Sequence, residues 1–420
     1  MNKYGLAILC MVLGVFAVAR TATAAPQIHI DRLYGMIEQR LSYMEDVAAW
    51  KWLNDKSIED KEREVVVLQN AQQAARQFGL DGPSTNAFFI AQMEAAKFFQ
   101  QQFFDQWHAD GFRGGTPPDL QNSLRPAISK SSDDIIAMIS LALPYIAVAD
   151  PAELPPLPLP EGHEADIAAG LLHIQYSDDV NANRFAAAMD QQAIRVGTTG
   201  DYAPFSTGEP GHRSGIDIDL ARSLAAYLGL GLVFIETSWP TLLDDLENQS
   251  YDIAMSGISI KPFRQKMGHM SAPYQTGGKT PIIRCSDKGT LNSLEAIDEP
   301  GVRVIVNPGG TNERHTRAHI KDASIRIFDD NEKIFEEIVA HRADAMITDA
   351  IEVAYQSARR PSLCPALPGQ TLTTSQKGFL MPKDDVLLLH VNRWLQGITE
   401  DGTLQAIFDA HLKLPLQLDP

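Results

Sequence analysis

Residues 151–160 read Pro151-Ala152-Glu153-Leu154-Pro155-Pro156-Leu157-Pro158-Leu159-Pro160, and this stretch divides the chain into two differently patterned parts. Half of its residues are proline, which fixes φ and lacks the backbone N–H that helices and inner strands need. The stretch therefore predicts an extended spacer. Before it, apolar residues follow helical spacing; after it, short apolar runs alternate with helical segments. We expect two modules with two functions.

Length and charge limit the possible functions of the chain. A chain of 420 residues is too long for one ordinary core and favours two or three domains. The formal net charge of −17 argues against nucleic acid or anionic lipid as the main partner. Any anionic small molecule must therefore be held by locally placed arginine and lysine side chains.

The N-terminal residues carry the pattern of a secretory signal peptide. Lys3 precedes the apolar run 6–19, and Ala22-Thr23-Ala24 supplies small residues at a cleavage position. The apolar run is too short to span a bilayer comfortably. We expect residues 1–25 to be removed on export to the periplasm, with a retained N-terminal anchor as the alternative.

Cleavage would leave only two cysteines, Cys285 and Cys364. An oxidising compartment would allow them to pair, and two buried free thiols are the alternative. No spacing of cysteine and histidine indicates a metal site.

The first module, residues 26–150, is predicted to be a helical bundle. Its apolar residues recur at steps of three and four, as on the buried face of a helix. The expected helices are Ile28–Leu53, a second opening near Ser57, Thr85–Trp107 and Leu124–Ile146.

Several polar residues of these helices are candidates for an anion site. Arg40 and Lys51 are eleven residues apart, roughly three turns, so they project from one side of the first helix. Arg63, Gln100 and Arg125 lie on the other helices. Spacing alone favours solvated surface charges over a buried site.

Five local motifs favour the buried site. They are Glu38–Leu41, Val47–Trp52, Ile58–Arg63, Gln92–Gln100 and Pro118–Leu120 before Arg125. In order and spacing they resemble the secreted, all-helical chorismate mutases. The resemblance spans nearly the whole helical module.

The resemblance implies a reaction in which chorismate rearranges to prephenate by an intramolecular pericyclic shift, with no nucleophile, general acid or cofactor. Arg40, Arg63 and Arg125 would then hold the substrate carboxylates, which guanidinium groups fit well. Lys51 and Gln100 would donate to the ether oxygen, where negative charge grows in the transition state.

Two further positions bear on substrate binding by the same resemblance. Glu64, next to Arg63, would accept a hydrogen bond from the substrate hydroxyl. Ala96 stands one turn before Gln100, where relatives often carry Ser or Thr. We expect weaker binding rather than loss of activity.

The sequence does not assign the connecting segment, residues 151–189, to either module. Beyond the prolines it carries two weak helical patterns, at 166–174 and 183–189. These could complete the first module, cap the second or serve as tethers. We therefore expect a linker followed by a helical connector.

The second module, residues 190–420, is predicted to be α/β. Strand-like runs at 194–198, 232–235 and 252–256 alternate with helical segments. Such alternation indicates a parallel sheet whose sites lie at the C-terminal ends of the strands. The predicted fold class of the whole chain is therefore multidomain, with an all-α bundle followed by an α/β unit.

The order of motifs in this module resembles the two-lobed periplasmic solute-binding proteins for polar amino acids. The motifs are 256–259, Arg264 and 271–274. The resemblance implies that two α/β lobes close around a ligand, with Arg264 holding a carboxylate. Residues 307–313 would offer backbone N–H groups at a helix start, which suits an anion.

Within that superfamily the resemblance narrows to cyclohexadienyl dehydratase. The motifs that carry it are 198–202, 237–240, 252–260, 278–281, 306–313 and 348–352. It implies a first lobe of residues 190–283 and 374–420 and a second lobe of 284–373. Cys285 and Cys364 lie where that family has cysteines, which implies a disulfide.

The implied chemistry needs an acid and carboxylate binders. Prephenate loses its ring hydroxyl and ring carboxylate together once the hydroxyl is protonated. Glu352 would be this general acid, and it must be desolvated to carry a proton near neutral pH. Lys279, Arg264 and Thr311 would hold carboxylates.

Four more residues of this module are candidate contacts. Asp201, Ser256 and Asn307 would complete the polar frame of the cleft. Trp239 is either a wall of the core or a ligand contact. No residue set indicates a cofactor.

We therefore predict an exported bifunctional enzyme of phenylalanine biosynthesis, acting on chorismate and then prephenate, with no cofactor. Arogenate conversion to phenylalanine remains an open alternative, because the leaving chemistry on the ring is the same. The rival prediction is an amino-acid-binding protein with a helical accessory module. A homo-oligomer is expected, with no nucleic acid partner and no membrane association after cleavage.

Overall fold

The computed structural model describes residues 25–146, 154–178 and 184–412. The predicted signal peptide lies outside these ranges except for Ala25, as do the first three residues of the proline-rich stretch. Among the described residues, no helix is both long enough and apolar enough to cross a membrane.

The N-terminal unit is all-helical. Its elements are α1 (Ala25–Ser42), α2 (Met44–Leu53), α3 (Lys61–Gln77), α4 (Asn86–Asp110), a π-helical turn (Leu120–Leu124) and α5 (Arg125–Ile146). Their apolar faces share one core, in which Leu33, Ile37, Phe88, Phe89 and Ile135 are fully buried.

Two predicted helix boundaries are wrong. The expected single helix 28–53 is two helices joined at Tyr43, where the hydroxyl of Ser42 donates to the Gln39 carbonyl and competes with the backbone ladder. The next helix begins at Lys61 rather than near Ser57. Its N-cap is Asp60, whose carboxylate accepts from the backbone N–H of Arg63.

The connector is packed rather than free. Leu157, within the proline-rich stretch, is buried in the helical core, and its backbone N–H donates to Glu164 at 2.9 Å. Helix α6 (Glu161–Leu172) follows and lies against α4, where Gly170 approaches Phe88 so closely that a Cβ would lie 2.5 Å from its Cα. The expected tether is therefore, where described, part of the helical unit.

The α/β unit begins with α7 (Arg184–Gln191), which buries Phe185 and Met189 in the core of the first lobe. This lobe holds a five-stranded sheet in the order β4-β1-β5-β14-β6. The strands are β1 (Ala193–Thr198), β4 (Gly231–Glu236), β5 (Ile253–Ala254), β6 (His269–Met270) and β14 (Leu380–Met381). Strands β4, β1 and β5 are parallel, as predicted.

The second lobe holds another five-stranded sheet, in the order β10-β9-β11-β8-β12. Its strands are β8 (Lys279–Arg284), β9 (Arg303–Val306), β10 (Ser324–Ile327), β11 (Ala345–Asp349) and β12 (Leu363–Pro365). All of β8 is buried in this sheet, so the second lobe begins at Lys279 and not at residue 284 as expected.

Two short strands carry the chain between the lobes. Strand β7 (Gln275–Gly277) pairs antiparallel with β13 (Ser375–Lys377), which brings the outgoing and returning chain side by side. We call these two strands the hinge pair. Because they are hydrogen-bonded to each other, the lobes share one connection rather than two separate loops.

The remaining elements surround the sheets and the cleft. They are β2 (Asp201–Tyr202), β3 (Ser206–Thr207), α8 (Ile216–Leu228), α9 (Leu242–Glu247), α10 (Pro262–Met267), α11 (Leu294–Ile297), α12 (Thr311–His319), α13 (Ile334–Val339), α14 (Ala350–Arg359), α15 (Asp385–Glu400) and α16 (Thr403–Leu412). In the second lobe, Cys285 and Cys364 form a disulfide that ties the end of β8 to β12.

The helical unit packs directly on the first lobe. His390 of α15 is fully buried there, stacked on Phe185 at 4.8 Å and tilted against Phe78 of the helical unit at 5.2 Å. Its Nε2 lies 3.3 Å from the hydroxyl of Ser140 on α5. Leu141 extends from α5 into the core of the lobe. This contact, rather than the spacer, fixes the relation of the two units.

Replacing His390 with glutamine should reduce the acid sensitivity of folding. Burial, with the nearby His29, lowers the pKa of His390 to about 3, against about 6.5 in an unfolded chain. The unfolded state then binds more protons in that interval, so stability falls as the pH decreases from about 6.5 towards 3. Urea unfolding at several pH values measures this slope, about 1.4 kcal/mol per pH unit for one group.

The matched control is His173→Gln, because His173 is exposed on the helical unit. This variant should keep the slope of the wild type. A His390→Gln protein with an unchanged slope would contradict a neutral, buried His390.

Candidate active sites

The first cavity lies inside the helical unit and has an empty volume of about 700 Å³. Every residue predicted for a site in this unit lines it. These residues are Arg40, Lys51, Arg63, Glu64, Gln100 and Arg125. They come from all five helices of the bundle, so the tertiary packing brings together positions that the sequence separates by up to 85 residues.

Arg40 is the most buried cation of this cavity. Its guanidinium donates to Gln92 Oε1 and to the hydroxyl of Ser132, both at 3.2 Å. Burial lowers its pKa to about 10, which leaves it charged at neutral pH. With no carboxylate among these partners, Arg40 retains a positive charge that an anionic ligand can neutralise.

Lys51 and Gln100 lie on α2 and α4, which pack together. Burial lowers the pKa of Lys51 to about 8, with the charges of Asp60 and Arg125 acting in opposite directions. Its Nζ donates to the Ile58 carbonyl at 2.7 Å. Gln100 donates to the Ala96 carbonyl at 3.1 Å, and its own carbonyl oxygen is buried without a hydrogen-bond partner among the described residues.

Two residues of the cavity were missed by the sequence prediction. Asp60 accepts from Arg125 at 3.2 Å while it caps α3, so it orients this arginine. Lys97 lies 3.4 Å from Glu64 and 2.6 Å from Glu94. Both lie within the motifs quoted above, but only the fold shows that they face the cavity.

The lining of this cavity limits its chemistry. Among the described residues that form it there is no cysteine, serine, threonine or histidine that could act as a nucleophile. Arginine and lysine dominate the charged groups, with apolar side chains such as Val47 and Ile128 between them. The arrangement can bind an anion and stabilise developing negative charge without covalent catalysis.

The second candidate site is a cleft of about 290 Å³ between the two lobes. Four of the predicted residues line it, Trp239 and Arg264 from the first lobe and Asn307 and Thr311 from the second. Asp201 lies behind Trp239 and accepts from its indole N–H at 3.1 Å; burial raises the pKa of this carboxyl. Trp239 is therefore a wall of the cleft, positioned by Asp201.

Asp349 lies where the two lobes and the hinge pair meet. Lys279 and Lys377 each place an ammonium group 2.8 Å from one of its oxygens, and the hydroxyl of Tyr202 donates to it. Burial by itself would raise the pKa of Asp349, but the two ammonium charges hold it well below its usual range. Lys377 also donates to the Gly257 carbonyl at 2.6 Å.

Glu352 does not line the cleft itself; Thr348 and the lining residue Asn312 lie between it and the cleft. It is 1% exposed and accepts from the hydroxyl of Thr348, which in turn accepts from Asn312, a lining residue, at 3.1 Å. Burial raises the pKa of Glu352 to about 8; the Asp349 charge adds to the rise, and the Thr348 hydrogen bond opposes it. The side chain is therefore mostly protonated at neutral pH.

A larger cavity of about 620 Å³ adjoins the cleft and shares Ser259 and Thr311 with it. Lys279 lines this cavity, together with Lys261 and Arg314. Among the described residues around it there is no carboxylate. It forms a positively charged approach to the cleft.

Residues 194–413, more than half of the chain, match the model of the bacterial extracellular solute-binding proteins, family 3. The chain belongs to this family. A relative from Pseudomonas aeruginosa named cyclohexadienyl dehydratase is 45% identical over 224 residues, which are 53% of this chain and 84% of the relative. An L-cystine-binding protein of Escherichia coli is 26% identical and covers 57% of this chain and 89% of its own length.

A solved structure and a second family model complete the comparison. The crystal structure of an ancestral amino-acid-binding protein, described as a precursor of cyclohexadienyl dehydratase, is 35% identical with a TM-score of 0.51. It covers 55% of this chain and 100% of its own. Residues 30–101 match chorismate mutase type II. The chain thus joins a helical chorismate mutase region to a solute-binding domain of two lobes.

The structure does not bring the predicted contact Ser256 to the cleft. Ser256 is buried and lines neither inter-lobe cavity. Its hydroxyl is saturated by the hydroxyls of Thr198 at 2.9 Å and Ser206 at 3.0 Å and by the N–H of Thr199 at 2.9 Å. These bonds hold the turn from which Gly257, the next residue, reaches the cleft.

The sequence prediction also missed Tyr202, Asp349 and Lys377 of the solute-binding domain. Tyr202 and Asp349 fall inside the motifs quoted above. The motifs indicate that both residues lie near the site, but not that they contact each other. Lys377 stands outside every quoted motif, and only the pairing of the two hinge strands places it beside Asp349. Among the described residues, no group of three or more His, Cys, Asp or Glu side chains is placed to hold a metal ion.

The raised pKa of Glu352 predicts a protonated carboxyl that infrared difference spectroscopy can detect. Its carboxylic-acid band should be present at pH 6 and should decline as the pH rises through about 8. The band should be absent from Glu352→Gln. A wild-type spectrum that shows no difference from this variant would contradict the assignment.

Proposed function

We propose that this chain is a bifunctional enzyme of phenylalanine biosynthesis. The helical region converts chorismate to prephenate, and the solute-binding domain converts prephenate to phenylpyruvate, water and carbon dioxide. The observation that carries the proposal is Glu352, which is 1% exposed beside the cleft and has a pKa raised by burial to about 8. A binding protein has no need of such an acid. The 45% identity to a cyclohexadienyl dehydratase and the chorismate mutase match support it.

In the proposed mutase reaction the cavity acts through shape and charge. Arg40, Arg63 and Arg125 hold the two carboxylates of chorismate and press its side chain towards the ring. Lys51 and Gln100 donate to the ether oxygen as its bond to the ring breaks and negative charge collects there. For Gln100 this requires the amide N–H to leave the Ala96 carbonyl, a weak intrahelical partner at 3.1 Å.

In the proposed dehydratase reaction Glu352 supplies the proton. The ring hydroxyl takes this proton and leaves as water, while the bond to the ring carboxylate breaks and its electron pair completes the aromatic ring. Carbon dioxide is released, and Glu352 recovers a proton from solvent. Because Thr348 separates Glu352 from the cleft, its hydroxyl relays the proton or the glutamate turns past it.

The carboxylates of prephenate need partners in the cleft. Arg264 is buried at its wall, and burial lowers its pKa to about 10, so it stays charged. Thr311 begins helix α12, and the first backbone N–H groups of a helix suit an anion. Lys279 extends from the adjoining cavity to Asp349. We assign carboxylate binding to these three residues.

The remaining assignments follow from this function. We propose that residues 25–178 form the mutase domain and 184–412 the dehydratase domain. We further propose that the protein acts in the periplasm, in keeping with its membership of an extracellular family, and that it is a homo-oligomer. The rival function, delivery of an amino acid to a transporter, predicts binding without turnover.

Purified protein given chorismate should release phenylpyruvate. Glu352→Gln should still consume chorismate but accumulate prephenate, because its amide cannot donate an acidic proton. We expect the second step to slow by roughly 100-fold or more. Chromatography of the reaction mixture over time separates the three compounds.

Arg40→Ala provides the converse control. It should abolish turnover of chorismate while leaving added prephenate to react at the wild-type rate. Chorismate left unchanged by the wild type would contradict the mutase assignment. Prephenate left unchanged would instead contradict the dehydratase assignment and favour the binding protein.

The mutase step should lose activity in alkali. The pKa of Lys51 is lowered to about 8, so its charge is present below this pH and is lost as the pH rises through it. We expect kcat/KM for chorismate to fall above about pH 8. Lys51→Arg should have a lower maximum but a flat profile, since guanidinium stays charged. A wild-type profile that stays flat beyond pH 9 would contradict the role of Lys51.

A further inference from the structure

The cavity of about 620 Å³ that adjoins the cleft is lined by both lobes and by the start of the returning hinge strand. The first lobe contributes Lys261, the second lobe Arg314, and the hinge pair Ser375. Of its described lining residues, only Ser259 and Thr311 also line the cleft. The adjoining cavity is therefore a separate space that opens beside the cleft.

Two cations of the adjoining cavity, Lys261 and Arg314, have no carboxylate partner among the described residues. The guanidinium of Arg314 lies 4.2 Å from the centre of the Phe263 ring. An aromatic face holds a guanidinium without cancelling its charge, whereas a carboxylate would cancel it. Glu313, the carboxylate next to Arg314 in the chain, is paired with Arg317 at 2.8 Å. The positive charges of Lys261 and Arg314 are thus available to a ligand.

The ring of His315 lies in the lining of the same cavity. Its pKa is lowered to about 4 by burial and by the charges of His319, Lys279 and Lys261, while the charge of Asp349 opposes the shift. The ring is therefore neutral at neutral pH. Its Nε2 is buried and has no hydrogen-bond partner among the described residues. The cations of the cavity thus act on a place that also holds an unpaired polar atom.

The charge of the adjoining cavity is opposite to that of the whole chain. The formal net charge of −17 repels a small anion in solution. A recess lined by cations, without a carboxylate among its described lining residues, reverses this field locally and attracts the anion. An anion bound there would also offset the repulsion among the cations. A carboxylate or a phosphate group has the chemistry that suits this place.

We propose that the adjoining cavity is an anion-binding site separate from the cleft, and that Lys261 and Arg314 capture a carboxylate of the substrate there before it enters the cleft. The proposal rests on the dehydratase function proposed above and adds the first step of substrate binding to it.

The path from this site to the cleft is short. The ring of Phe263 lies against two guanidinium groups, 4.2 Å from that of Arg314 in the adjoining cavity and 5.4 Å from that of Arg264 in the cleft. Ser259 and Thr311 border both spaces. A carboxylate held by Arg314 therefore passes to Arg264 without leaving a lining of cations and hydroxyl groups.

Replacing Lys261 with methionine and Arg314 with glutamine in one protein tests the capture step. At low ionic strength, kcat/KM for prephenate should fall by about fivefold or more, because the attraction for the dianion is lost. The change should lie in KM, with kcat within about twofold of the wild type, since neither side chain lines the cleft. The difference should disappear at high salt, where dissolved ions screen the wild-type cations as well.

The matched control is a protein with both Lys288→Met and Lys383→Met. It also removes two positive charges, but from exposed positions outside the adjoining cavity. This protein should keep the wild-type kcat/KM at every ionic strength. A loss equal to that of the Lys261 and Arg314 variant would assign the effect to net charge and overturn the site.

A binding measurement on the full chain does not depend on turnover. Inorganic phosphate serves as the probe, because it is a small anion whose ³¹P resonance broadens when it binds to a protein. The wild type and the control should broaden this resonance more than the Lys261 and Arg314 variant does. Equal broadening by all three proteins would overturn the anion site.

The wild type alone also gives a decisive result. Its kcat/KM for prephenate should fall as the ionic strength rises, and a value that stays constant would overturn the capture step. A folded Lys261 and Arg314 variant that loses kcat and keeps its KM would overturn it as well. Prephenate left unchanged by the wild type would overturn the dehydratase function instead, and the phosphate measurement would then decide the anion site by itself.

Discussion

The ion cluster of Asp349, Lys279 and Lys377 is the constraint on which the solute-binding domain depends. It joins the end of a second-lobe strand, the hinge pair and, through Tyr202 and Gly257, the first lobe. A buried ion cluster of this kind is costly unless every member is paired, so these contacts hold the two lobes and the hinge pair together. The same cluster places the negative charge of Asp349 near Glu352, where it adds to the rise in the pKa of this acid.

The helical region has to hold several cations in one cavity, and it needs no acid. It carries one cation on each of five helices, so no two of them are neighbours on the same helix. Lys51 illustrates the result, because burial and neighbouring cations lower its pKa while Asp60 raises it. The two units then share a buried contact around His390, Phe78 and Ser140. The two units therefore pack directly against each other at this contact and are not joined by the connector alone.

Much of the candidate chemistry could be predicted from the sequence because the motifs are local. The helical spacing of Arg40 and Lys51 predicts that they share a face, and Glu352 follows a strand end within one short motif. The residues that the prediction misplaced or missed also have physical explanations. Ser256 lies in a correct motif, yet its hydroxyl is used by Thr198 and Ser206. Lys377 could not be found, because its role arises from strand pairing with a segment a hundred residues away.

The sequence by itself determined the division into an all-helical and an α/β unit, the presence of a parallel sheet and the residue types at both sites. These follow from periodicity and short motifs, which are properties of neighbouring residues. The tertiary structure alone decided that the described part of the proline-rich segment, with the buried Leu157, packs against the bundle and that Asp349 is paired with two lysines. Both depend on contacts between residues far apart in the chain, where burial sets the cost of every unpaired charge.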